Sequence, residues 1–420
     1  MKVENSIICE CTNTNVANSL LIVLPQQTQY LKLTTEIYGI SIARRIALSA
    51  KSAGFDRVLL LTTNDQIEET AKLLENTPAL AISPENVSVH LDARRIVILA
   101  SDILADRKWL KYIGGLHIQA GSMVLDPQRA GIIEAEPDAE FIAQSFAGGG
   151  DIFAALQDTF KTQLVDLSGP GSIALQPTTT KTDVEDWLRS CLIKDTDGVL
   201  ARIIARPISL EITRHLINTR ISANAMSVFS ASIGLCGAPF FLSTQPEYQV
   251  IGGLLFTLHS ILDGCDGELA RLRFSESHLG GLLDYWGDNI VHVAIFACMS
   301  IGWGLSADAS WSHWPLIAGC AAVFSTIGSA SLVHWRTMRR SKHTHKKAEG
   351  PLFTSIAQSS NTDISKLLDG LARRDFIYLV LLLSIFGKAS WFLVLAAIGA
   401  PVFFLLLLWV AYSETKLKTQ

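Results

Sequence analysis

The residues between Arg220 and Glu247 include no charged side chain, and most of them are apolar. A helix of about 20 apolar residues is long enough to cross a lipid bilayer. Further apolar runs follow toward the C-terminus, whereas the first half has the charge content of an ordinary soluble protein. The pattern therefore predicts a soluble first part and an all-α membrane part from residue 221 onward.

Six apolar runs predict six membrane-spanning helices, at 223–243, 248–270, 281–304, 312–335, 374–387 and 389–412. Basic residues collect in the loop that begins at Arg336 and again at Lys416 and Lys418, while the connections 244–247 and 305–310 carry only acids. Lys and Arg accumulate on cytoplasmic loops. We therefore expect both termini on the cytosolic side of the membrane, which would be the inner membrane in a bacterium.

The first part of the chain alternates strand-like and helix-like segments. Apolar runs at 19–25, 58–62 and 95–100 predict strands, and 40–54 and 65–76 predict helices. This alternation is typical of a Rossmann-like α/β domain with a parallel sheet. We assign residues 1–165 to this domain.

The charge and the cysteines of the chain exclude two classes of protein. A net charge of −4 argues against a nucleic-acid binder. Seven cysteines, an odd number spread over both halves, give no disulfide framework. The N-terminus lacks a continuous apolar core next to a positive start, so no cleavable signal peptide is expected. The α/β domain is therefore expected in the cytosol.

Residues 166–220 are predicted to form a linker and an amphipathic helix. Turn-forming residues dominate 168–180, and from Val184 to Ile204 apolar residues recur at helical spacing among arginines. Such a helix directly before a membrane segment is typical of an element at the cytosolic lipid interface. An ordinary surface helix is the alternative. The membrane domain then covers residues 221–420.

Four aspartates stand as two pairs within the apolar part. Asp263 and Asp266 are three residues apart and Asp284 and Asp288 are four apart, so each pair shares one face of a helix. Ionisable groups are costly in membrane segments and indicate a functional site. Converging carboxylates need cations, and hard oxygen ligands suit Mg²⁺ or Mn²⁺, of which a pair commonly handles a pyrophosphate.

The spacing of these residues resembles the signature of the CDP-alcohol phosphotransferase family, D-x-x-D-G-x-x-A-R, eight residues, then G-x-x-x-D-x-x-x-D. The fixed positions are Asp263, Asp266, Gly267, Ala270, Arg271, Gly280, Asp284 and Asp288. The resemblance implies a six-helix membrane enzyme, commonly a homodimer, with its site at the cytosolic face. It would transfer a phospho-alcohol group from a CDP-alcohol to an acceptor hydroxyl, with release of CMP.

The resemblance also implies roles for individual residues. The four aspartates would hold two divalent ions, Mg²⁺ or Mn²⁺, and Asp288 would also take the proton from the acceptor hydroxyl. The cytidine diphosphate would be seated by a set of residues from both halves of the signature and from the preceding segment: Asp263, Gly267, Arg271, Asp284 and Asn224. Asn224 lies where relatives read threonine-proline-asparagine, and its alternative role is a helix N-cap.

A basic group after the fourth run is a candidate for binding a phosphate-bearing acceptor. Its members are Arg336, Arg339, Arg340 and Lys342. Basic residues at a membrane edge also bind anionic lipid, which is the alternative. His259 and His292, both inside apolar runs, are expected to be hydrogen-bonded packing residues.

The order of the parts resembles a narrower subgroup, the bifunctional enzymes that make CDP-inositol and join it to inositol phosphate. An α/β domain resembling nucleotidyltransferases and a K-x-x-D-G segment from Lys194 to Gly198 precede the membrane part. Ser101-Asp102 stands where nucleotidyltransferases keep a metal-binding Asp, or Asp102 simply ends a strand. The segment from Pro25 to Gln29 lacks the glycines that let a backbone close around phosphates. We therefore predict a degenerate α/β domain, and a donor such as CDP-diacylglycerol or a CDP-inositol.

Two other functions are compatible with buried acids. A transporter or cation-binding protein also carries acids in membrane helices, but it does not explain Gly267, Ala270 and Arg271 at fixed spacing. An inactive enzyme with a regulatory first domain is the other alternative, and the intact signature argues against it. Neither the donor alcohol nor the acceptor follows from the residues.

Overall fold

The computed structural model describes residues 8–9, 19–25, 31–91, 93, 95–100, 102–134, 140–147, 150–193, 197–306, 313–343 and 375–417. The chain divides into two compact units, Met1–Cys191 and Leu192–Gln420. The division falls within the segment 166–220 that the sequence assigns to a linker and an amphipathic helix.

The first unit is built on a mixed β-sheet. Its strands are β1 Ser19–Val23, β2 Arg57–Leu61, β3 Ala79–Ile82, β4 Arg95–Leu99, β5 Ser122–Asp126, β6 Ala130–Glu134 and β7 Lys161–Leu164. Their order in the sheet is β7-β5-β6-β4-β1-β2-β3. Leu20, Leu21 and Ile22 in the central strand are fully buried, as are Ile96 and Ile98 in its neighbour. The α/β class and the strands β1, β2 and β4 are thus confirmed.

The expectation of a parallel sheet is wrong for one strand. β1 pairs in parallel with β2 and β4, and β2 with β3. β6 runs antiparallel to both β4 and β5. The reason is local, because only residues 127–129 separate β5 from β6, and so short a connection returns the chain as a hairpin.

Helices and short strand pairs complete the first unit. The helices are α1 Ile42–Ala53, α2 Ile67–Leu73, α3 Arg107–Gly114, α4 Glu140–Ala147, α5 Ile152–Gln157 and α6 Lys181–Ser190. The short pairs are Ile8–Cys9 with His117–Ile118, Glu36–Ile37 with Ile40–Ser41, and Ile103–Ala105 with Ser172–Ala174. α6 begins with a capping box between Thr180 and Asp183 and buries Val184 and Leu188. The apolar face of this half of the predicted amphipathic segment therefore packs inside the first unit.

The second unit is helical. Its helices are α7 Arg206–Leu216, α8 Ala223–Gly237, α9 Pro246–Leu272, α10 His278–Gly304, α11 Trp314–His343, α12 Phe376–Ile385 and α13 Ser390–Leu417. A π-helical turn, Ala201–Ala205, leads into α7, and a 3-10 turn, Ala238–Leu242, extends α8 past Pro239. Helices thus occupy all six positions predicted to span the membrane.

Length and composition support membrane crossing for some of these six helices. Among the described residues, three segments are long and apolar enough to cross a bilayer: Ala223–Leu242, Trp314–Met338 and Ser390–Tyr412. α12 is shorter, at 10 residues. α9 and α10 have 27 residues each but carry the polar residues of the aspartate pairs. Six spans therefore remain a prediction.

Small residues let α8, α9 and α10 approach one another closely. A Cβ on Gly234 would lie 2.9 Å from Cγ of His259 and 2.7 Å from Cγ1 of Val291. A Cβ on Gly237 would lie 3.4 Å from the carbonyl oxygen of Gly252. Close approach at these points brings the polar residues of the three helices within contact distance of one another.

Candidate active site

Three of the predicted metal ligands meet at one point. The carboxylates of Asp263 and Asp266 on α9 and of Asp284 on α10 offer oxygen atoms that all lie within 4.8 Å of one another. We call these three residues the aspartate cluster. Asp263 is 5% exposed and Asp266 4% exposed. Two helices therefore place like charges together, with Asp263 and Asp266 buried and Asp284 half-buried.

Asp288 lies one turn beyond Asp284 on α10 and is also buried. The aspartate cluster, as found among the described residues, does not include Asp288. Its Oδ1 lies 3.4 Å from Nε2 of His259, a residue of α9 that is 2% exposed. The sequence predicted a hydrogen-bonded packing residue at His259, and the structure shows that the buried ring also lies against the predicted base. The four-residue spacing from His259 to Asp263 was the available signal, because it puts both on one face of α9.

α8 contributes a polar stripe to the same region. Ser227 donates a hydrogen bond from Oγ to Oδ2 of Asp266. The carbonyl oxygen of Ser230 lies 2.9 Å from Nδ1 of His259. Ser227 was missed in the sequence, although its three-residue spacing from Asn224 places the two on one helix face. The hydroxyl of Ser227 orients one carboxylate of the aspartate cluster.

Asn224 lies next to α10 rather than capping α8. A Cβ on Gly280 would lie 2.7 Å from Oδ1 of Asn224. The N-cap of α8 is Ser222, whose Oγ accepts a hydrogen bond from the backbone N–H of Ala225 at 3.1 Å. The N-cap interpretation of Asn224 is therefore wrong, because the serine two residues earlier takes that role.

Gly267 makes room for the side chain of Arg271 on α9. A Cβ at position 267 would lie 2.9 Å from Nη1 of Arg271. The side chain of Arg271 thus turns back along α9, and its guanidinium lies over Gly267 on the helix that carries Asp263 and Asp266. A side chain at position 267 would collide with Arg271, which explains why the signature has glycine there.

Glu268 is another buried carboxylate, and its surroundings differ from those of the aspartate cluster. It is 0% exposed. Its Oε1 accepts hydrogen bonds from Nη1 of Arg206 at 2.8 Å and Oγ of Ser209 at 2.7 Å, and its Oε2 accepts one from Oγ1 of Thr213 at 2.7 Å. Nε and Nη2 of Arg206 also donate to the two oxygens of Asp197, both at 2.8 Å. We call these five residues the Glu268 clamp, which joins α7 to α9.

The Glu268 clamp keeps its charges balanced. Burial by itself would lower the pKa of Arg206, but the carboxylates of Asp197 and Glu268 outweigh that effect and raise the pKa. The guanidinium therefore stays charged. Asp197 belongs to the K-x-x-D-G segment, and a Cβ on the neighbouring Gly198 would overlap the carboxylate of Asp375. The sequence analysis included Asp197 in that segment but did not single out Glu268, Ser209 or Thr213.

Residues 220–360 match the family model described as CDP-alcohol phosphatidyltransferase. This part of the chain is thus similar to that family. The match includes α8 to α10 and all four signature aspartates, and it confirms the resemblance seen in the sequence.

Curated relatives of this chain carry two kinds of name. A bifunctional IPC transferase and DIPP synthase of Rubrobacter xylanophilus is 31% identical over 180 residues, 43% of this chain and 38% of that protein. The enzyme of the same name from Thermococcus kodakarensis is 31% identical over 140 residues, 33% of this chain and 30% of that protein. A CDP-diacylglycerol–serine O-phosphatidyltransferase of Mycobacterium bovis is 29% identical over 99 residues, 21% of this chain and 34% of that protein. The chain thus spans less than two fifths of the length of each.

The chain is also similar to solved structures. The phosphatidylinositol phosphate synthase of Mycobacterium tuberculosis with CDP-DAG bound is 17% identical, with a TM-score of 0.31, over 48% of this chain and 94% of that one. The same enzyme in complex with manganese and citrate gives 18% identity and a TM-score of 0.30, over 48% of this chain and 88% of that one.

The aspartate cluster has the chemistry of a divalent-cation site. Carboxylate oxygens are hard ligands of the kind that Mg²⁺ and Mn²⁺ prefer. Three of them within 4.8 Å of one another repel each other strongly at low exposure unless a cation or a proton intervenes. The residues present therefore fit a divalent metal.

The segment before α8 is fixed by an arginine that the sequence analysis missed. Nη2 of Arg273 donates to the carbonyl oxygens of Leu216, Ile217 and Thr219 at 3.0, 2.8 and 2.8 Å. These carbonyls lie at and just beyond the end of α7, where a helix leaves acceptors without intrahelical donors. Arg273 thus ties the end of α9 to the turn that leads into α8 and Asn224.

Other predicted residues are not brought to the aspartate cluster by any described contact. The basic group lies in the last part of α11, and the side chains of Arg339, Arg340 and Lys342 are outside the described residues. Lys194, Ser101 and the segment 26–29 also lie outside them. Asp102 follows β4 in the first unit, and its carbonyl oxygen accepts a hydrogen bond from the N–H of Leu175 at 2.6 Å.

Proposed function

We propose that the protein is an integral membrane enzyme that transfers a phospho-alcohol group from a CDP-alcohol to an acceptor hydroxyl and releases CMP. The observation that carries the proposal is the convergence of Asp263, Asp266 and Asp284 inside a domain that matches the CDP-alcohol phosphatidyltransferase family. A signature alone gives spacing along the chain. Here the spaced residues also meet in space.

The aspartate cluster together with Asp288 would hold the divalent metal, Mg²⁺ or Mn²⁺, as two ions. When bound, the ions offset the negative charge of the pyrophosphate and of the departing CMP. Arg271 would donate to phosphate oxygens with its parallel N–H groups. Gly267 and Asn224 would help to seat the nucleotide, since both lie beside residues of the signature.

Asp288 would act as the general base. It would take the proton of the acceptor hydroxyl while the hydroxyl oxygen bonds to the phosphorus attached to the donor alcohol. The bond from that phosphorus to the oxygen of CMP breaks, and CMP leaves with the electron pair. The product is a phosphodiester, and the proton remains on Asp288 until it passes to solvent.

The names of the relatives support a lipid or polyol product. The donor would be CDP-diacylglycerol or a CDP-inositol, and the acceptor hydroxyl would belong to a molecule that carries a phosphate for the basic group at the end of α11. We further propose six spans in a homodimer, with termini and site facing the cytosol. The first domain, residues 1–165, would be a degenerate nucleotidyltransferase-like domain, followed by an interfacial segment at 166–220 and the membrane domain at 221–420.

Release of CMP by the full-length protein in lipid nanodiscs tests the proposal. CDP-diacylglycerol and CDP-inositol are each offered with a panel of hydroxyl acceptors, with Mg²⁺ or Mn²⁺. We expect release with at least one donor, and we expect Asp288→Asn to lower it by about 10³-fold or more because the base is lost. Asp65→Asn, at an exposed position of the first unit, is the control and should match the wild type.

Two results would overturn the proposal. One is the absence of CMP release with every donor and acceptor from protein that is folded and inserted. The other is equal release by Asp288→Asn and wild type. A cation transporter would give the first result together with metal-dependent ion flux.

A further inference from the structure

His259 is a buried polar residue of the second unit that has no role in the proposed reaction. It lies on α9 one turn before Asp263 and is 2% exposed. A polar ring in such a position is costly unless its nitrogens have partners. Both nitrogens of His259 have partners, and they belong to two different helices.

The first partner fixes the ring. Nδ1 of His259 lies 2.9 Å from the carbonyl oxygen of Ser230 on α8. A carbonyl oxygen can only accept, so Nδ1 carries the hydrogen of this bond. The ring also stacks on Phe256 at 6.3 Å between centroids, with an interplanar angle of 13°. On a third side, a Cβ on Gly234 would lie 2.9 Å from Cγ of His259, so the backbone of α8 leaves the ring no room to turn.

The second partner is the proposed base. With Nδ1 bound to α8, the opposite edge of the ring points to α10, where Nε2 lies 3.4 Å from Oδ1 of Asp288. A carboxylate oxygen also only accepts, so the ring bridges a backbone atom of α8 and one carboxylate oxygen of α10 as an imidazolium with a hydrogen on each nitrogen. A base must be held within hydrogen-bond reach of the proton that it removes, and a misplacement of about 1 Å can cost about 10²-fold in rate.

We propose that His259 is a positioning residue, which holds Oδ1 of Asp288 through a ring locked by Ser230, Phe256 and Gly234 and so orients the carboxylate toward the acceptor hydroxyl. The inference rests on the proposed transfer reaction. It concerns a residue outside the signature. It also explains why position 234 is glycine, since a larger residue would displace the ring.

The test compares three variants with the donor and acceptor that the wild type uses. His259→Leu fills similar space but contacts neither Ser230 nor Asp288 through polar atoms. His259→Gln has an amide that can still donate to Asp288. We expect His259→Leu to lower kcat on the order of 10²-fold while KM for the CDP-alcohol changes less than about twofold, and we expect His259→Gln to recover at least a third of the loss in log kcat.

His292→Gln is the matched control. His292 lies on α10 one turn after Asp288, and its ring contacts Phe256 and Phe376 at 5.6 and 5.4 Å between centroids. This variant should keep the kcat of the wild type. The thermal midpoint of each variant, with Mn²⁺ binding followed by electron paramagnetic resonance, separates a folding defect from a positioning defect. If His259→Leu does not fold, His259→Asn, which is too short to bridge Ser230 and Asp288, replaces it with the same expected loss.

The outcomes separate the two proposals. An inactive wild type would remove the transfer reaction itself. An active wild type with His259→Leu within about twofold of its kcat, or with His259→Gln no better than His259→Leu, would overturn the role of His259 and leave the reaction standing. A parallel rise of KM and fall of kcat would also overturn it, since that pattern indicates general damage to the site.

Discussion

Asp266 and Glu268 are two buried acids that lie two residues apart on α9 and have opposite surroundings. The carboxylate oxygens of Glu268 accept hydrogen bonds of 2.7–2.8 Å from the side chains of Arg206, Ser209 and Thr213. Asp266 shares its position with Asp263 and Asp284. A buried charge that the chain itself balances contributes to the fold, whereas buried like charges indicate a ligand of opposite sign.

The different surroundings of Glu268 and Asp266 show that two faces of α9 have different roles. One face of the helix holds α7 through the Glu268 clamp, and another face presents carboxylates to α10. Rotation by two residues, about 200° on a helix, accounts for the change of neighbours. The same helix is therefore fixed from one side and offers ligands on the other.

The largest expected effect comes from removing one charge of the aspartate cluster. Asp266→Asn should lower CMP release by about 10³-fold or more, because the metal loses a ligand. Without metal, its thermal midpoint should equal or exceed that of the wild type, since the amide relieves repulsion among the carboxylates. The measurements are CMP release in nanodiscs and thermal unfolding in the presence of a chelator.

Addition of Mn²⁺ gives a second comparison of the thermal midpoints of the wild type and Asp266→Asn. A ligand at about 100 times its Kd stabilises the folded state by about 2.7 kcal/mol, so the wild-type midpoint should rise with Mn²⁺ and that of Asp266→Asn should rise less. A metal-free midpoint of Asp266→Asn well below the wild type would mean that Asp266, like Glu268, is balanced by the chain, and the contrast between the two acids would fail.

The Glu268 clamp should show the opposite behaviour. Glu268→Leu breaks a buried ion pair, which costs about 3–5 kcal/mol. We expect the lower value, about 3 kcal/mol, because Arg206 keeps its two hydrogen bonds to Asp197. The thermal midpoint should fall, while the rise on adding Mn²⁺ should persist. Loss of that rise would show that the clamp takes part in the metal site.

The smallest of the three effects is expected at Ser227, which touches the aspartate cluster from α8. Ser227→Ala removes the hydrogen bond to Oδ2 of Asp266, and loss of such a partner of a ligand typically costs about 10- to 100-fold in metal affinity or activity. We expect a rise of about tenfold in the Mn²⁺ concentration for half-maximal CMP release. Ser232→Ala, at an exposed position of the same helix, is the control. If the Mn²⁺ concentration for half-maximal CMP release is the same in Ser227→Ala as in the wild type, Ser227 has only a packing role.

Local signals in the sequence account for much of the fold. β1, β2 and β4 were predictable because a fully buried strand must be a continuous apolar run. The position of β6 beside β4 was not, because the pairing of Ile132 with Val97 joins residues far apart in the chain. The sequence left the N-cap role of Asn224 open as an alternative, because Ser222 and Asn224 are both good capping residues and only the backbone shows which one precedes the first turn.

Helical periodicity is a property of spacing alone, so the residues predict that two pairs of aspartates lie on helix faces in an apolar part of the chain. The packing of the helices places Glu268 against Arg206, and it places Asp266 against Asp263 and Asp284. Asp266 and Glu268 look alike in the sequence, and their difference arises from α7, whose Arg206 lies far from both along the chain. His259 reads as a packing residue until α8 and α10 are placed on either side of it, since a contact between helices depends on where each helix lies.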